Sequence, residues 1–380
     1  MRILLSMISE DKNKKVSLAL TFFVMRIFFV ALALIFVSCA SETESSESSD
    51  PGNDPVVYDS DSYTTITGQT MGTNYSITLK SSPEIQKSVD SMLEVINNAV
   101  STYIPTSTIS QFNQADSGFK VSLAQSPHFI WNCMGALDIE SFSQGYFNPR
   151  VMPLVNYYGF GYEPGTKLID SAVVDSLAAM TVDIAYFLTQ DKNNNTPLVI
   201  KANEHSQIDF SAMAKGYAVD LIGAMLQQRG ILHYLIDIGG ETITHGVNDQ
   251  GKAWMIGITK PKEDNGEESV PYLRIQPGDL AMATSGNYEN YKIIDGIKVV
   301  HTIDPYTGYP KSSRLLSVTV VEHSCMVADG LATGMMASGL ENAIAFIEKN
   351  QFMNAVLIYS DENGELQWFA SDPAKDLLVY

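Results

Sequence analysis

Apolar residues recur every three or four positions in several segments of this 380-residue chain, which places them on one face of an α-helix. In the clearest segment Ala214, Leu221 and Met225 follow this spacing, and Gly230 stands where a helix is expected to end. The predicted helices are Ser82–Val100, Pro127–Ser143, Ser171–Met180, Ser211–Gln228 and Asp329–Asn350. The pattern therefore predicts amphipathic helices spread along most of the chain.

Shorter segments with alternating apolar and polar residues lie between these helices and predict strands. The predicted strands are Thr64–Thr67, Tyr75–Lys80, Leu198–Ala202, Gln207–Phe210, Tyr234–Ile238, Thr242–Gly246, Trp254–Thr259, Ala355–Tyr359 and Leu366–Ala370, with an acidic hairpin tip at Glu263–Glu268. Many of them follow one another closely, which favours antiparallel hairpins over a doubly wound parallel sheet. The predicted fold class is α+β, a single large domain of mixed sheets packed with helices.

The N-terminal segment has the features of a secretory signal. The apolar run Ile27–Val37 follows Arg26 and ends in small residues around Cys39. It is short for a membrane span. Cys39 is placed like the lipidated cysteine of a bacterial lipobox, with Phe36 where leucine is usual. An uncleaved signal anchor is the alternative, and either arrangement puts the folded domain outside the cytoplasm.

The composition then divides the chain into three parts. The residues after Cys39 are polar and acidic without an apolar period, which is typical of a disordered tether. The predicted parts are a signal peptide at 1–38 with Met25 as a second candidate start, a tether at 39–62, and the folded domain at 63–380.

The net charge narrows the classes of molecule that this protein could bind. A formal net charge of −19 leaves no basic stripe to neutralise phosphates, so nucleic acid is not predicted as a partner. The same charge argues against electrostatic docking onto anionic lipid.

Cys133 and Cys325 are far apart and are not at metal-ligand spacing. They allow a disulfide, but two buried free thiols are the better-supported alternative.

Several common motifs are absent from the sequence. It has no G-x-x-x-x-G-K-[ST] loop, no G-x-G-x-x-G after a strand, no G-x-S-x-G elbow and no H-E-x-x-H helix. An enzyme acting on a nucleotide would therefore have to hold the phosphates in another way.

Two segments place polar groups where a ligand could approach. Asp209 and Lys215 flank the predicted start of the helix Ser211–Gln228, where unpaired backbone N–H groups favour anions. A capping aspartate beside a solvated lysine explains the same residues without a ligand. The small and hydroxylated residues of Ala283–Tyr288 suit close approach by a ligand, or form a simple turn.

Two further segments carry candidate catalytic and metal-binding groups. His301 precedes Asp304 at a Pro-Gly turn, and histidine suits proton transfer near neutral pH, although a structural histidine is commoner. Asp304 is expected to shape that turn. Asp329 and Thr333 are four residues apart and lie one turn apart on one helix face. Their oxygens are hard ligands suited to Mg²⁺ or Ca²⁺, while a threonine bonded back to its own helix is the alternative.

Together and in this order, these segments resemble the FAD:protein FMN transferase family, also called the ApbE or thiamine-biosynthesis lipoprotein family. The resemblance runs from about Thr64 to Leu340. The matching segments are Met71–Thr73 with Tyr75, a strand-like Ser101–Tyr103, Val155–Phe160, Asp209–Gly216, Gly239–Gly240, Thr284–Gly286, His301–Gly308 and Asp329–Thr333. The resemblance implies an ApbE-like, T-fold-related domain, and many members are lipid-anchored in the periplasm, in agreement with Cys39.

The resemblance also implies a role for each matching residue. The implied FAD-binding residues are Met71, Tyr103, Ala136, Leu137, Asp138, Asp209, Lys215 and Ile303. The implied metal ligands are the backbone oxygen of Ala212 and the side chains of Asp329 and Thr333. Some members carry threonine at Ala212, so this chain offers only a main-chain oxygen there. His301 is the candidate base.

The activity implied by the resemblance is Mg²⁺-dependent transfer of FMN from FAD to a threonine of an acceptor protein, with release of AMP. The acceptor would be a subunit of a membrane redox complex or a related electron-transfer protein. The enzyme would be lipid-anchored on the periplasmic side of a bacterial membrane. The alternatives are an FAD pyrophosphatase that yields FMN and AMP, and a non-catalytic flavin-binding lipoprotein.

Overall fold

An eight-stranded antiparallel sheet forms the centre of the domain. The structure is a computed structural model that describes residues 62–80, 85–192, 195–259, 271–287 and 291–379. Within these residues the strands are β1 (Tyr63–Thr70), β2 (Thr73–Lys80), β3 (Lys120–Ser122), β4 (Tyr186–Gln190), β5 (Pro197–Lys201), β6 (Tyr234–Ile238), β7 (Glu241–His245), β8 (Ile256–Thr259), β9 (Pro271–Ile275), β10 (Ala281–Gly286), β11 (Tyr291–Ile294), β12 (Ile297–Val300), β13 (Leu315–Glu322), β14 (Asn354–Ser360), β15 (Leu366–Ala370) and β16 (Leu378–Val379). The central sheet has the order β1-β2-β6-β7-β10-β13-β14-β15, and every neighbouring pair is antiparallel. The smaller sheets are β3-β5-β4, β16-β9-β8 and the hairpin β11-β12.

Helices cover this sheet. Within the described residues they are α1 (Gln86–Val100), α2 (Thr108–Gln114), α3 (Pro127–Phe142), α4 (Met152–Tyr157), α5 (Ser171–Thr181), α6 (Ala214–Gln228), α7 (Cys325–Ser338), α8 (Leu340–Lys349) and α9 (Asp372–Lys375). Helix α7 packs against α6 and against β7, β10 and β13. Its sequence is almost entirely small or apolar, which is typical of a helix surrounded by protein on all sides. Nearly every residue of α7 is buried, so α7 lies in the core.

The predicted α+β class is confirmed by these helices and antiparallel sheets. The predicted helices at Pro127–Ser143 and Ser171–Met180 match α3 and α5 to within one residue. The predicted closing hairpin corresponds to β14 and β15. The local sequence pattern was therefore sufficient to locate these elements.

The predicted strand Gln207–Phe210 is wrong. A buried side chain supplies the partners that a neighbouring strand would have offered: Asn113 Nδ2 donates to the carbonyl of Ile208 at 2.9 Å, and Asn113 Oδ1 accepts from the Ile208 N–H at 2.9 Å. The segment belongs to no strand. Ser101–Tyr103 is likewise a turn after α1 and not a strand, and Ser107 Oγ donates to the Ser101 carbonyl at 2.7 Å.

Two other predictions need correction. The single helix Asp329–Asn350 is in fact α7 and α8, which begin at Cys325 and break at Gly339. Gly339 has a φ of 84°, a left-handed value that a helix interior does not allow. The small residues from Ala283 to Gly286 belong to β10 and pair with β13, so the alternative of a simple turn is wrong for them.

The remaining predictions about chain organisation have mixed outcomes. Cys133 and Cys325 are both buried and free, as the favoured alternative predicted. Within the described ranges, no helix combines the length and apolar character needed to cross a membrane. The signal peptide, Met25, Cys39, almost all of the tether and the acidic tip Glu263–Glu268 lie outside the described residues.

Candidate functional site

A cleft of about 920 Å³ brings together most of the predicted site residues. Its volume is near the upper end of the range usual for ligand pockets. The predicted residues that line it are Asp209, Ala212, Lys215, His301, Ile303, Asp329 and Thr333. They come from the start of α6, the middle of α7 and the segment after β12. The fold thus gathers residues that are far apart in the sequence around one cavity.

One part of the lining, which we call the carboxylate wall, consists of Lys215, Glu241, Asp329 and Thr333. Lys215 Nζ is 3.3 Å from Glu241 Oε2 and 3.7 Å from Asp329 Oδ2. The Glu241 and Asp329 side chains are only 4% and 3% exposed. One ammonium is therefore shared by two carboxylates almost out of contact with water, where an unpaired charge would be strongly unfavourable.

These buried charges change the pKa of one another. Burial raises the pKa of Glu241 and of Asp329, because a carboxylate loses hydration there. Burial favours the neutral form of Lys215, but the charges of Asp329 and Glu241 together outweigh that effect and raise the pKa of the ammonium. The two carboxylates therefore favour the charged form of Lys215.

Helix α6 holds the N-terminus of α7 and thereby sets the position of the carboxylate wall. Asp220 of α6 accepts hydrogen bonds from the N–H groups of Cys325 at 2.7 Å and Met326 at 3.1 Å, and from Ser324 Oγ at 2.7 Å. These bonds satisfy donors that a helix start leaves unpaired. A carboxylate there also interacts favourably with the helix dipole.

The two helices also touch directly through a glycine. A Cβ atom on Gly216 would lie 2.3 Å from the carbonyl oxygen of Cys325, so only glycine fits without moving α7. The Gly216 N–H donates to Asp329 Oδ2 at 3.2 Å. Since Lys215 is the preceding residue, this contact sets both Lys215 and Asp329 in place.

Thr333 lies one turn after Asp329 on α7, as the spacing predicted. Its Oγ1 is 3.0 Å from the Oγ of Ser285 in β10. On the same strand, Thr284 Oγ1 is 2.8 Å from Thr319 Oγ1 of β13. The segment predicted to suit close approach by a ligand is therefore part of a strand that lines the cleft, and the hydroxyl of Ser285 supports Thr333.

Asp209 orders the turn before α6 and does not cap the helix. Its carboxylate accepts from the N–H of Ser211 at 2.9 Å and from the Ser211 Oγ at 2.6 Å. Helix α6 begins at Ala214, so the predicted start at Ser211 is early. Burial raises the pKa of Asp209. Ala212 lies within this turn and lines the cleft.

A second part of the lining, which we call the hairpin wall, comes from the β11–β12 hairpin and the residues that follow it. Its members are Tyr291, Lys292, His301, Thr302 and Ile303. The hairpin reverses at Asp295 and Gly296, whose φ values of 52° and 75° are those of a two-residue hairpin turn. His301 directly follows the last residue of β12.

The His301 segment is held by contacts on both sides. The His301 ring lies edge-on to Phe160 with centroids 6.3 Å apart. Asp304 accepts from the Tyr306 N–H at 3.0 Å and pairs with Lys311 Nζ at 3.0 Å. Asp304 therefore shapes the turn, in agreement with its predicted role, and leaves His301 as the candidate base.

Five predicted FAD-binding residues do not line this cleft: Met71, Tyr103, Ala136, Leu137 and Asp138. Tyr103 lies near its border, because its hydroxyl donates to the carbonyl of the lining residue Phe160 at 3.1 Å. Burial and the nearby Asp209 raise the Tyr103 pKa. Met71 is in the β1–β2 turn with a φ of 49°. The other three lie on α3, where Ala136 is fully buried. The roles of all five stay predictions.

Glu241 is a residue that the sequence prediction missed. It begins β7, directly after Gly239 and Gly240, which both have positive φ. The sequence did contain a signal for Glu241. Two glycines after an apolar strand indicate a tight turn, and the residue after such a turn begins the next strand, at the edge of the sheet. The ion pair between Glu241 and Lys215 could not be predicted from the sequence, since it joins two separate elements.

The chemistry of the carboxylate wall fits the predicted metal. Asp329 and Thr333 supply hard oxygen atoms, and the Ala212 carbonyl is in the same lining. Glu241 Oε2 is buried and faces Lys215 Nζ at 3.3 Å, so the ammonium has an anionic partner besides Asp329. No group of three or more His, Cys, Asp or Glu side chains arranged to hold a metal occurs in the described ranges.

Comparison with solved structures defines the class of fold. A structure of the flavin transferase ApbE from Vibrio cholerae matches with a TM-score of 0.72 and 35% identity over 83% of this chain and 99% of that one. The architecture described above is therefore that of the ApbE flavin transferases.

Sequence comparison then gives the family. The ApbE family model matches residues 71–357. A Vibrio cholerae protein named FAD:protein FMN transferase is 36% identical over 82% of this chain and 92% of its own length. One of the same name from Haemophilus influenzae is 31% identical over 88% and 92%. The chain belongs to the ApbE family.

Proposed function

We propose that this protein is a Mg²⁺-dependent FAD:protein FMN transferase, which attaches FMN through a phosphoester to a threonine of an acceptor protein and releases AMP. The observation that carries this proposal is the carboxylate wall, where Asp329, Thr333 and Lys215 face one cleft that His301 also lines. A cation and hard oxygen ligands suit a pyrophosphate, and a histidine suits activation of a hydroxyl.

The reaction needs one bond to form and one to break. The threonine Oγ of the acceptor bonds to the FMN phosphorus, and the anhydride bond between that phosphorus and the bridging oxygen breaks to release AMP. His301 takes the proton of the attacking hydroxyl. Lys215 stabilises negative charge on the pyrophosphate oxygens, because its neighbours keep it charged.

Magnesium would be held by Asp329, Thr333 and the backbone oxygen of Ala212. When bound, it neutralises pyrophosphate charge and makes AMP a better leaving group. Met71, Tyr103, Ala136, Leu137, Asp138, Asp209 and Ile303 would hold the rest of FAD. Tyr103 and Asp209 are neighbours at the border of the cleft, which supports placing the flavin there.

The location of the enzyme is part of the proposal. Cys39 would carry a lipid that anchors the chain on the periplasmic side of a bacterial membrane. The acceptor would be a subunit of a membrane redox complex or a related electron-transfer protein. Mass analysis of the mature N-terminus tests the anchor: a diacylated Cys39 is expected, and an intact residue 1 or 25 would contradict it.

One incubation tests the reaction. The purified protein is mixed with FAD, Mg²⁺ and a candidate acceptor, and the denatured acceptor band is inspected for flavin fluorescence while AMP is measured. One AMP per labelled acceptor is expected, and an acceptor with its target threonine changed to valine is the control. Free FMN with an unlabelled acceptor would indicate the pyrophosphatase, and unchanged FAD a binding protein.

A further inference from the structure

Lys215 and the proposed metal compete for the same carboxylate. Lys215 Nζ lies 3.7 Å from Asp329 Oδ2, and Asp329 is the only carboxylate among the proposed ligands. An ammonium and a metal ion that contact the same carboxylate would repel each other strongly in a poorly hydrated site. A metal can therefore occupy Asp329 at low energetic cost only if the ammonium has another anionic partner.

We propose that Glu241 is that partner: it holds Lys215 away from Asp329 and so keeps Asp329 available for the metal. The ammonium is already closer to Glu241, at 3.3 Å, than to Asp329. The proposal rests on the proposed function, in which Asp329 binds Mg²⁺. Glu241 acts as a positioning residue, since it works through Lys215.

The position of Glu241 suits this role. It is the first residue of β7 and pairs with Ile238 of β6, so its backbone is fixed in the central sheet. Its side chain is 4% exposed. Its Oε2 makes no hydrogen bond within the described residues, and Lys215 Nζ is the cation that faces it. A buried carboxylate lowers the stability of the folded protein unless a cation stays beside it.

Two simpler roles for Glu241 predict different behaviour. If Glu241 were itself a metal ligand, its loss would weaken metal binding with or without the Lys215 charge. If Glu241 acted only as a distant negative charge, its loss would weaken metal binding equally whether or not Lys215 is present. The proposed role requires that the effect of losing Glu241 depends on Lys215.

The experiment is a double-mutant cycle on metal binding without FAD. Mn²⁺ alone is titrated into the full chain in detergent, and free Mn²⁺ is measured from its paramagnetic resonance signal. The four proteins are the wild type, Glu241→Gln, Lys215→Met and the double variant. Circular dichroism and melting temperature establish that each variant is folded.

We expect Glu241→Gln to raise the Mn²⁺ dissociation constant about tenfold in the wild-type background, because the ammonium then stays on Asp329. In the Lys215→Met background the same substitution should change it less than about twofold. Equal effects in both backgrounds would overturn the inference while leaving the metal site intact. Absence of Mn²⁺ binding by the folded wild type would instead contradict the metal site of the proposed function.

Discussion

The carboxylate wall and the hairpin wall line the same cleft but are built in different ways. The carboxylate wall is carried by α7, which lies in the core, and by the central strand β7. In the hairpin wall, Tyr291 and Lys292 belong to a separate two-stranded sheet in which Ile293 is 63% exposed. Thr302 and Ile303, which follow that sheet, are buried. Groups whose charges must stay within a few ångströms of one another are thus fixed by core packing. The β11–β12 hairpin places exposed side chains such as Ile293 at the surface, where an incoming macromolecule would meet them.

The largest effect is expected for the carboxylate wall. Replacing Asp329 by Ala should lower FMN transfer about 1000-fold or more, because the proposed metal would lose its only carboxylate ligand. Transfer is measured as acceptor-bound flavin. Chelation by EDTA should lower wild-type activity to the same extent and have no further effect on the variant. Asp183→Asn, an exposed carboxylate outside the cleft lining, is the control; persistent transfer by Asp329→Ala would disprove the metal assignment.

On the hairpin wall, His301→Gln should slow transfer about 100-fold, the usual contribution of a general base. Gln keeps a polar side chain but cannot take up the proton. FAD binding, followed by quenching of flavin fluorescence, should change little. If the variant lost FAD binding and retained the turnover of the bound fraction, His301 would be a binding residue and not the base.

A stability measurement separates the two walls further. Gly216→Ala should lower the free energy of unfolding by about 2 kcal/mol, since the new methyl group must displace the α7 backbone at Cys325. Ile293→Ser, on the exposed hairpin, should change it by less than about 0.5 kcal/mol. Urea unfolding checks both values. Similar losses for the two variants would contradict the difference between the walls.

The smallest effect concerns the bonds at the start of α7. Asp220→Asn should cost about 1 kcal/mol near neutral pH, because one amide donor then faces a backbone N–H. Burial raises the Asp220 pKa from 3.8 to about 6. A raised carboxyl pKa means that the folded state favours the protonated form, so this group contributes stability below pH 3.8 and loses it as pH rises through 6.

The unfolding free energy of the wild type should therefore fall relative to Asp220→Asn between about pH 4 and about pH 6, the interval between the two pKa values. Urea titrations of both proteins at the two pH values measure this difference. A difference that widened in favour of the wild type as pH rose would contradict the assigned pKa shift.

Features set by neighbouring residues could be predicted from the sequence, and features set by contacts between elements could not. Asp329 and Thr333 were placed on one helix face because that relation depends only on their spacing. The Asn113 contact that replaces the strand at Ile208 joins residues distant in the chain, and so does the Lys215–Glu241 pair. No pattern within either segment reports such a contact.

The β11–β12 hairpin is a different case, because its signal was present and was overlooked. Asp295–Gly296 between apolar residues is among the strongest short-range signs of a hairpin. The break at Gly339 was also overlooked, since a lone glycine inside a helical pattern is often tolerated.

The close contact at Gly216 also bears on how this enzyme could be redesigned. Because α6 and α7 meet backbone to backbone there, no side chain can be exchanged to alter the spacing between Lys215 and Asp329 gradually. A laboratory selection for a new acceptor should therefore collect substitutions in and around the β11–β12 hairpin. Lys215 and Asp329, which are proposed to bind the pyrophosphate and the metal, would stay unchanged while the specificity for the acceptor changes.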